Sequence, residues 1–134
     1  MAVSSQKINN ENNKELITIG ITAYDSGEFL YEAIQSVLDQ ESDDWLGVLV
    51  LDGGSDLESK KIYNKFNHPK FQKYTFEQNQ GPYGTRTKAI NLAHTDWYCQ
   101  LDGDDILPPN AILDITKTIN NNPNIEYVYG DYEN

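Results

Sequence analysis

Cysteine, positive charge and long apolar runs are what this 134-residue chain has least of. Cys99 stands alone, which excludes an intrachain disulfide, and its place in the run Trp97-Tyr98-Cys99-Gln100-Leu101 points to a buried, inert thiol. Ten Lys and Arg against 21 Asp and Glu leave a formal net charge of −11. That balance argues against nucleic-acid and anionic-membrane partners, which call for basic patches. It does not exclude a phosphate ligand, because a bound metal can supply the missing positive charge. No apolar run approaches the roughly 18 residues of a spanning helix, and the N-terminus carries no apolar signal region. The expectation is a cytoplasmic chain with no membrane span. His68 and His94 are not at metal-pair spacing, and both are expected on the surface. Gly81-Pro82-Tyr83-Gly84 is too short for a Walker loop and lacks its lysine.

What is present fits one folded domain, within the usual size of about 100–200 residues. Residues 1–15 are polar and rich in Asn (Asn9, Asn10, Asn12, Asn13) and read as a flexible tail, with the domain covering 16–134. Leu16 to Ile21 and Leu46 to Leu51 read as buried strands, Phe71 to Phe76 as a weaker one nearer an edge. Trp97 to Leu101 and Ile125 to Tyr129 complete the set. Asp25 with Glu28, and Ser55 with Glu58, make capping-box-like helix starts. Gly81 and Gly84 open a loop before a helix with Ala89, Ile90 and Ala93, and Pro108-Pro109 suit the first turn of a last helix. Strands alternating with helices predict an α/β fold with a mainly parallel sheet.

Asp102-Gly103-Asp104-Asp105 follows one of these strands directly. Three carboxylates in four residues repel one another, whereas a hard divalent ion such as Mg²⁺ or Mn²⁺ seeks carboxylate oxygens and shares its shell with phosphates. Ligands of open parallel sheets bind outside the carboxyl ends of the strands, where this cluster lies. The competing reading is a solvated acidic turn ahead of a helix. A calcium loop is excluded, because Ile106 stands where a third oxygen ligand belongs. Asp52, at another strand end, is either a ligand contact or a loop residue satisfying backbone N–H groups. Tyr24 is either a stacking or a packing aromatic, and Gly53, Gly54 and Gly81 can serve turn geometry alone.

Four segments in order resemble the nucleotide-binding half of family 2 glycosyltransferases. Thr22-Ala23-Tyr24-Asp25 is similar to the family's Thr-x-Tyr-Asn, and Ala33-Ile34-Gln35-Ser36-Val37-Leu38-Asp39-Gln40 to its Ala-Ile-x-Ser-Val-Leu-x-Gln. Leu51-Asp52-Gly53-Gly54-Ser55-Asp56 resembles Val-Asp-Asp/Gly-Gly-Ser-Thr-Asp. Asn79-Gln80-Gly81, Arg86, Ala93 and Leu101 to Asp105 keep the spacing to the Asp-x-Asp motif. Departures are Asp25 for Asn, Gly53 for the frequent second Asp, Thr87 for Asn, and no Thr after Ser55.

The resemblance implies a Rossmann-like GT-A fold and a nucleotide-sugar donor, most often a UDP-sugar, held with Mn²⁺ or Mg²⁺. It implies that Thr22 and Tyr24 meet the nucleotide, Tyr24 stacking on the base, and that Asp52 accepts a uracil N–H. Arg86 would orient the base or a carboxylate, Asp102 would face the ribose or sugar, Asp104 would coordinate the metal, and Asp105 would support it through water. The implied reaction is inverting sugar transfer. The family's catalytic base and acceptor segments lie further along than Asn134, so the chain is expected to be incomplete at its C-terminus, with an uncovered sheet edge near Ile125–Tyr129 open to self-association. Two other readings compete. One is a non-catalytic nucleotide-sugar-binding fragment. The other is a phosphatase of the haloacid-dehalogenase type, whose strand followed by Asp-x-Asp matches Leu101 to Asp104. That reading leaves Asp52 and Thr22-Ala23-Tyr24 unexplained.

Overall fold

Ile17–Ala23 is buried along its whole length on both faces, and this sets the architecture. A strand with no solvent face must lie inside a sheet covered on both sides, which parallel α/β sheets provide. The computed structural model describes residues 2–5 and 17–129, with side chains to residue 126. The elements run β1 (Ala2–Ser5), β2 (Ile17–Ala23), α1 (Phe29–Leu38), β3 (Trp45–Leu51), α2 (Leu57–Lys65), β4 (Phe71–Thr75), α3 (Gly81–Leu92), β5 (Trp97–Asp102), α4 (Ala111–Asn121) and β6 (Tyr127–Tyr129). They build a six-stranded sheet of order β4-β3-β2-β5-β1-β6. β2, β3, β4 and β5 are mutually parallel, while β1 runs antiparallel to both its neighbours. The expected mainly parallel sheet is present.

Strand alternation sorts the side chains into two cores. Ile17, Ile19, Ile21, Trp97, Cys99 and Leu101 pack with Leu30, Ala33, Ile34 and Val37 of α1 and Ile112 and Ile115 of α4. On the other face Val48, Val50 and Tyr98 meet Ala89 and Ala93 at α3. Gly20 serves this second face, since a Cβ there would come within 2.1 Å of the Tyr98 hydroxyl.

The chain departs from the expected pattern at its start and at its helix ends. Ala2–Ser5, expected in a polar tail, is a strand between β5 and β6, because Val3 is fully buried there opposite Cys99. The remainder of the tail, Met1 and residues 6–15, lies outside the described residues, as does Leu16. α1 begins at Phe29 without a capping box: Asp25 has φ +49°, a left-handed conformation, whereas an N-cap needs extended backbone. For α2 the cap is Asp56, one residue later than expected, and its side chain accepts the Ser59 N–H. Ser55 instead donates to the Asp52 carbonyl. α3 starts at Gly81 itself, with Pro82 in its first turn, and α4 starts at Ala111, just past Pro108-Pro109. Among the described residues no helix is long and apolar enough to cross a membrane.

One topological consequence positions the site. From β2 the chain moves outward through β3 to β4, then returns to lay β5 on the opposite side of β2. The order therefore reverses between β2 and β5, and a crevice opens at their carboxyl ends.

Candidate functional site

That crevice is a cleft of about 330 Å³ whose lining includes Thr22, Tyr24, Asp52, Arg86, Asp102 and Asp104. Six of the seven residues singled out from the sequence are thus brought together. Asp105 is not among the lining residues. Its backbone N–H closes a turn onto the Asp102 carbonyl at 2.9 Å, and the chain leaves the cleft after Asp104. Burial, with repulsion from Asp104 and Asp102, pushes the Asp105 carboxyl above its ordinary value.

Sheet register does the assembling. Thr22 pairs with Asp102, and Ala23 with Leu51. The ladder then continues one step beyond the strands: Asp52 N–H donates to the Ala23 carbonyl and Gly103 N–H to the Thr22 carbonyl, each at 2.8 Å. Gly103 is needed for that approach, because a Cβ would meet Ser26 Oγ at 2.8 Å and Ala23 Cβ at 2.9 Å. Gly53 is similarly confined, with its would-be Cβ 2.3 Å from the Gln78 backbone, which is why no second Asp stands there. The left-handed φ at Asp25, a cleft residue, is a conformation Asp and Asn both tolerate, which accounts for Asp in place of Asn.

Asp52 is 2% exposed, and its carboxylate accepts three backbone N–H bonds. Gly53 and Gln80 donate to Oδ1, both at 2.8 Å, and Gly81 to Oδ2 at 3.0 Å. The last two are orphan donors at the N-terminus of α3, whose own N-cap, Gln80, gives no side-chain bond. Of the two readings open in the sequence, backbone satisfaction is therefore realised, and the negative charge also complements the helix dipole. Oδ2, with one bond, keeps acceptor capacity.

Asp102 is held from two sides. Arg86 Nη2 donates to its Oδ1 at 3.0 Å and its Oδ2 at 3.2 Å, and Gln100 Nε2 lies 3.4 Å from Oδ1. Gln100 also donates to Thr22 Oγ1 at 2.8 Å and accepts from the Tyr98 hydroxyl at 2.6 Å. Burial, with Cys99 beside it, pushes that hydroxyl far above its ordinary value, so it stays a donor. Asp104 has no hydrogen bond or ion pair among the described residues. Tyr24 is 51% exposed at the mouth, with its ring available for stacking.

No group of three or more His, Cys, Asp or Glu poised for a metal occurs among the described residues. The donor set still suits a hard ion of the Mg²⁺ type, which is held by one or two carboxylates with the rest of its shell taken by water and phosphate. Asp104, with its unengaged oxygens, and Asp102 would hold it.

Two supporting residues were not among the site candidates read from the sequence. Ser36 in α1 and Gln40, just past its C-terminal end, are buried and pin the segment after the Asp cluster. Ser36 Oγ accepts the Leu107 N–H at 3.0 Å. Gln40 donates to the Pro108 carbonyl at 2.7 Å and accepts the Ile112 N–H at 3.0 Å. The Ser-x-x-x-Gln spacing, which runs across the C-terminal end of α1, was the available signal. Gln100 was legible in the same way, since it shares a strand face with Asp102.

A family model described as Glycosyl transferase family 2 matches residues 18–131. An uncharacterized glycosyltransferase of Methanocaldococcus jannaschii is 28% identical over 123 residues, covering 89% of this chain and 42% of that protein. Chondroitin synthase of Escherichia coli is 30% identical over 99 residues, covering 72% of this chain and 14% of that protein. The chain thus spans less than half the length of these relatives. Among solved structures, S. aureus TarS 1–349 in complex with UDP-GlcNAc superposes with a TM-score of 0.70 at 20% identity, over 79% of this chain and 31% of that one. The mannosyltransferase PcManGT from Pyrobaculum calidifontis, in complex with GDP-Man and Mn²⁺, gives 0.65 at 14% identity, over 81% and 33%. Both likenesses bear on the fold.

Proposed function

Because the chain belongs to glycosyl transferase family 2, we propose that it forms the donor-binding portion of a sugar-transfer enzyme and takes a UDP-sugar in the cleft between β2 and β5. The observation that carries this reading is the meeting of Asp102 and Asp104 with the exposed Tyr24 in one crevice at the sheet's reversal point. An aromatic face suits a base, and an acidic pair with a divalent ion suits a diphosphate. The neighbours bound to UDP-GlcNAc, and to GDP-Man with Mn²⁺, support the same ligand class.

Tyr24 stacks on the base, and Asp52 Oδ2 has the capacity left to accept its N–H. Thr22 and Asp102 face the ribose or sugar. Asp104 holds Mn²⁺ or Mg²⁺ together with Asp102, and Asp105 acts through water at most. When bound, the ion is a Lewis acid that stabilises the departing diphosphate. Displacement at the anomeric carbon with inversion is the reaction this reading assigns. A phosphatase role for Asp102 is disfavoured, because it leaves Thr22, Tyr24 and Asp52, which line the same cleft, without a role.

Calorimetry with UDP, GDP and dTDP, each with Mn²⁺ and with EDTA, tests the reading. Tightest binding of UDP, dependent on Mn²⁺, is expected. Equal UDP affinity in EDTA removes the metal, and a preference for GDP removes the base assignment.

A further inference from the structure

Gln100 joins a buried hydroxyl to the cleft. It leaves the middle of β5 on the α3 face, between Tyr98, which is buried, and Asp102, which lines the crevice. Its amide carbonyl receives the Tyr98 hydroxyl at 2.6 Å, and its amide nitrogen reaches Thr22 Oγ1 at 2.8 Å and Asp102 Oδ1 at 3.4 Å. Thr22 and Tyr98 could each accept either orientation of the amide, since hydroxyls both donate and accept. Asp102 cannot, because an ionised carboxylate only accepts and must face the nitrogen. Thr22 and Asp102 stand side by side in the β2–β5 register, so one amide addresses both strands at the point where the crevice opens. The anchor is also specific: the Tyr98 ring occupies space that Gly20 leaves, and any larger residue at 20 would collide with it.

We infer that Gln100, anchored by Tyr98, is a positioning residue of the donor site, which with Arg86 fixes the Asp102 carboxylate and the Thr22 hydroxyl for the nucleotide-sugar. The inference rests on the donor-site reading above and extends it to two residues that do not line the cleft. Oδ1 of Asp102 takes bonds from Arg86 and Gln100, whereas Oδ2 takes one, from Arg86 at 3.2 Å, and so keeps more acceptor capacity for the ligand. Gln100 acts through Asp102 and touches no ligand itself.

The test uses the full chain, with UDP and Mn²⁺ titrated by calorimetry and stability followed by urea unfolding. Gln100→Met keeps the length of the side chain and removes its polar atoms. It should raise the Kd by about tenfold, the equivalent of losing one charge-assisted hydrogen bond. Gln100→Glu should raise it further, since it turns an acceptor toward Asp102 and the diphosphate. Tyr98→Phe keeps the ring and removes only the anchor, so it should also weaken binding and serves where Gln100→Met fails to fold. In an Asp102→Ala background only the Thr22 hydroxyl is left to hold, and Gln100→Met should then raise the Kd by clearly less than it does in the wild type. A purely packing role predicts the same loss in both backgrounds, and that result overturns the inference. Wild type that binds UDP–Mn²⁺ while Gln100→Met and Tyr98→Phe bind equally well overturns it alone. Wild type that binds no UDP with Mn²⁺ overturns the donor-site reading and this inference with it.

Discussion

Each carboxylate around the cleft has a different set of partners, and those partners divide the work. Asp104 has none among the described residues, which suits the metal-holding role proposed for it. Asp104→Ala is expected to abolish the Mn²⁺-dependent part of UDP binding, whereas Asp105→Ala, outside the cleft lining, should weaken it much less; calorimetry on both variants checks the pair. Asp52 is the opposite case. Its three backbone bonds make Asp52→Ala a structural lesion as well as a binding one: two helix-end donors and the Gly53 N–H lose their partner. Urea unfolding should show a loss of about 1–3 kcal/mol, the cost of stranding buried polar groups. Asp102 and Asp104 stood out in the sequence because three neighbouring carboxylates repel one another, with a solvated acidic turn as the competing reading, and the structure places both in the cleft lining. Backbone anchoring was one of the two readings open for Asp52, but its donors at Gln80 and Gly81 were not legible, because they lie 28 and 29 residues away and only the closed sheet brings them near. Cys99 reads the same in both: it is fully buried, and burial pushes its thiol to about 12. The native protein should resist alkylation at neutral pH and react only once urea unfolds it.

At the scale of elements, the central strands could be read from sequence because a strand buried on both faces is free of charge and rich in apolar and β-branched residues, as β2 and β3 are. Helix starts were less legible, since a cap is decided by φ, ψ and by what the neighbouring loop claims. Asp25 is held in the left-handed region, and the Gly27 N–H is taken by Ser59 Oγ at 3.0 Å. Asp56 caps α2 instead, and removing that cap in Asp56→Ala should cost about 1 kcal/mol at pH 7. Burial alone would raise the Asp56 carboxyl, but the Ser59 side-chain and backbone bonds outweigh it and leave it below its ordinary 3.8. A carboxyl lowered on folding stabilises above its unfolded value and loses that contribution as pH falls through its folded value. The stability gap between wild type and Asp56→Ala should therefore be constant from pH 7 down to pH 5 and close below about pH 4. A gap that widens in acid would contradict the assigned cap. Ser36 in α1 and Gln40 just past its end couple that helix to the loop that follows the Asp cluster, so Gln40→Ala should loosen that loop and weaken UDP–Mn²⁺ binding without any contact to ligand.

The whole molecule depends on a strand that composition alone placed in a tail. Four residues are too few to show a period, and β1's partner β5 lies more than ninety positions on, so no local pattern marks Ala2–Ser5 as sheet. Their place is nonetheless central to one side of the fold. β1 is the strand through which β6 joins the sheet, and it covers the edge of β5, the strand that ends in Asp102. Val3 lies opposite Cys99 and is packed in the larger core, with no exposed surface. Val3→Asp puts an unpaired carboxylate there and is expected to destabilise the protein by about 2–4 kcal/mol or to drive β1 out of the sheet. Deleting residues 1–5 should have a second effect that the point variant isolates less cleanly. It uncovers the β5 edge and releases β6, and an unpaired edge beside an apolar core is a template for association. The net charge of −11 opposes that association, and salt screens it. Light scattering of the deletion variant should therefore show particles that grow as NaCl is raised from 0.05 to about 0.5 M, across which the screening length falls from roughly 14 to 4 Å. Unfolding midpoints unchanged by the deletion, with no growth in salt, would mean that β1 contributes nothing to the sheet and that β6 is held by other contacts.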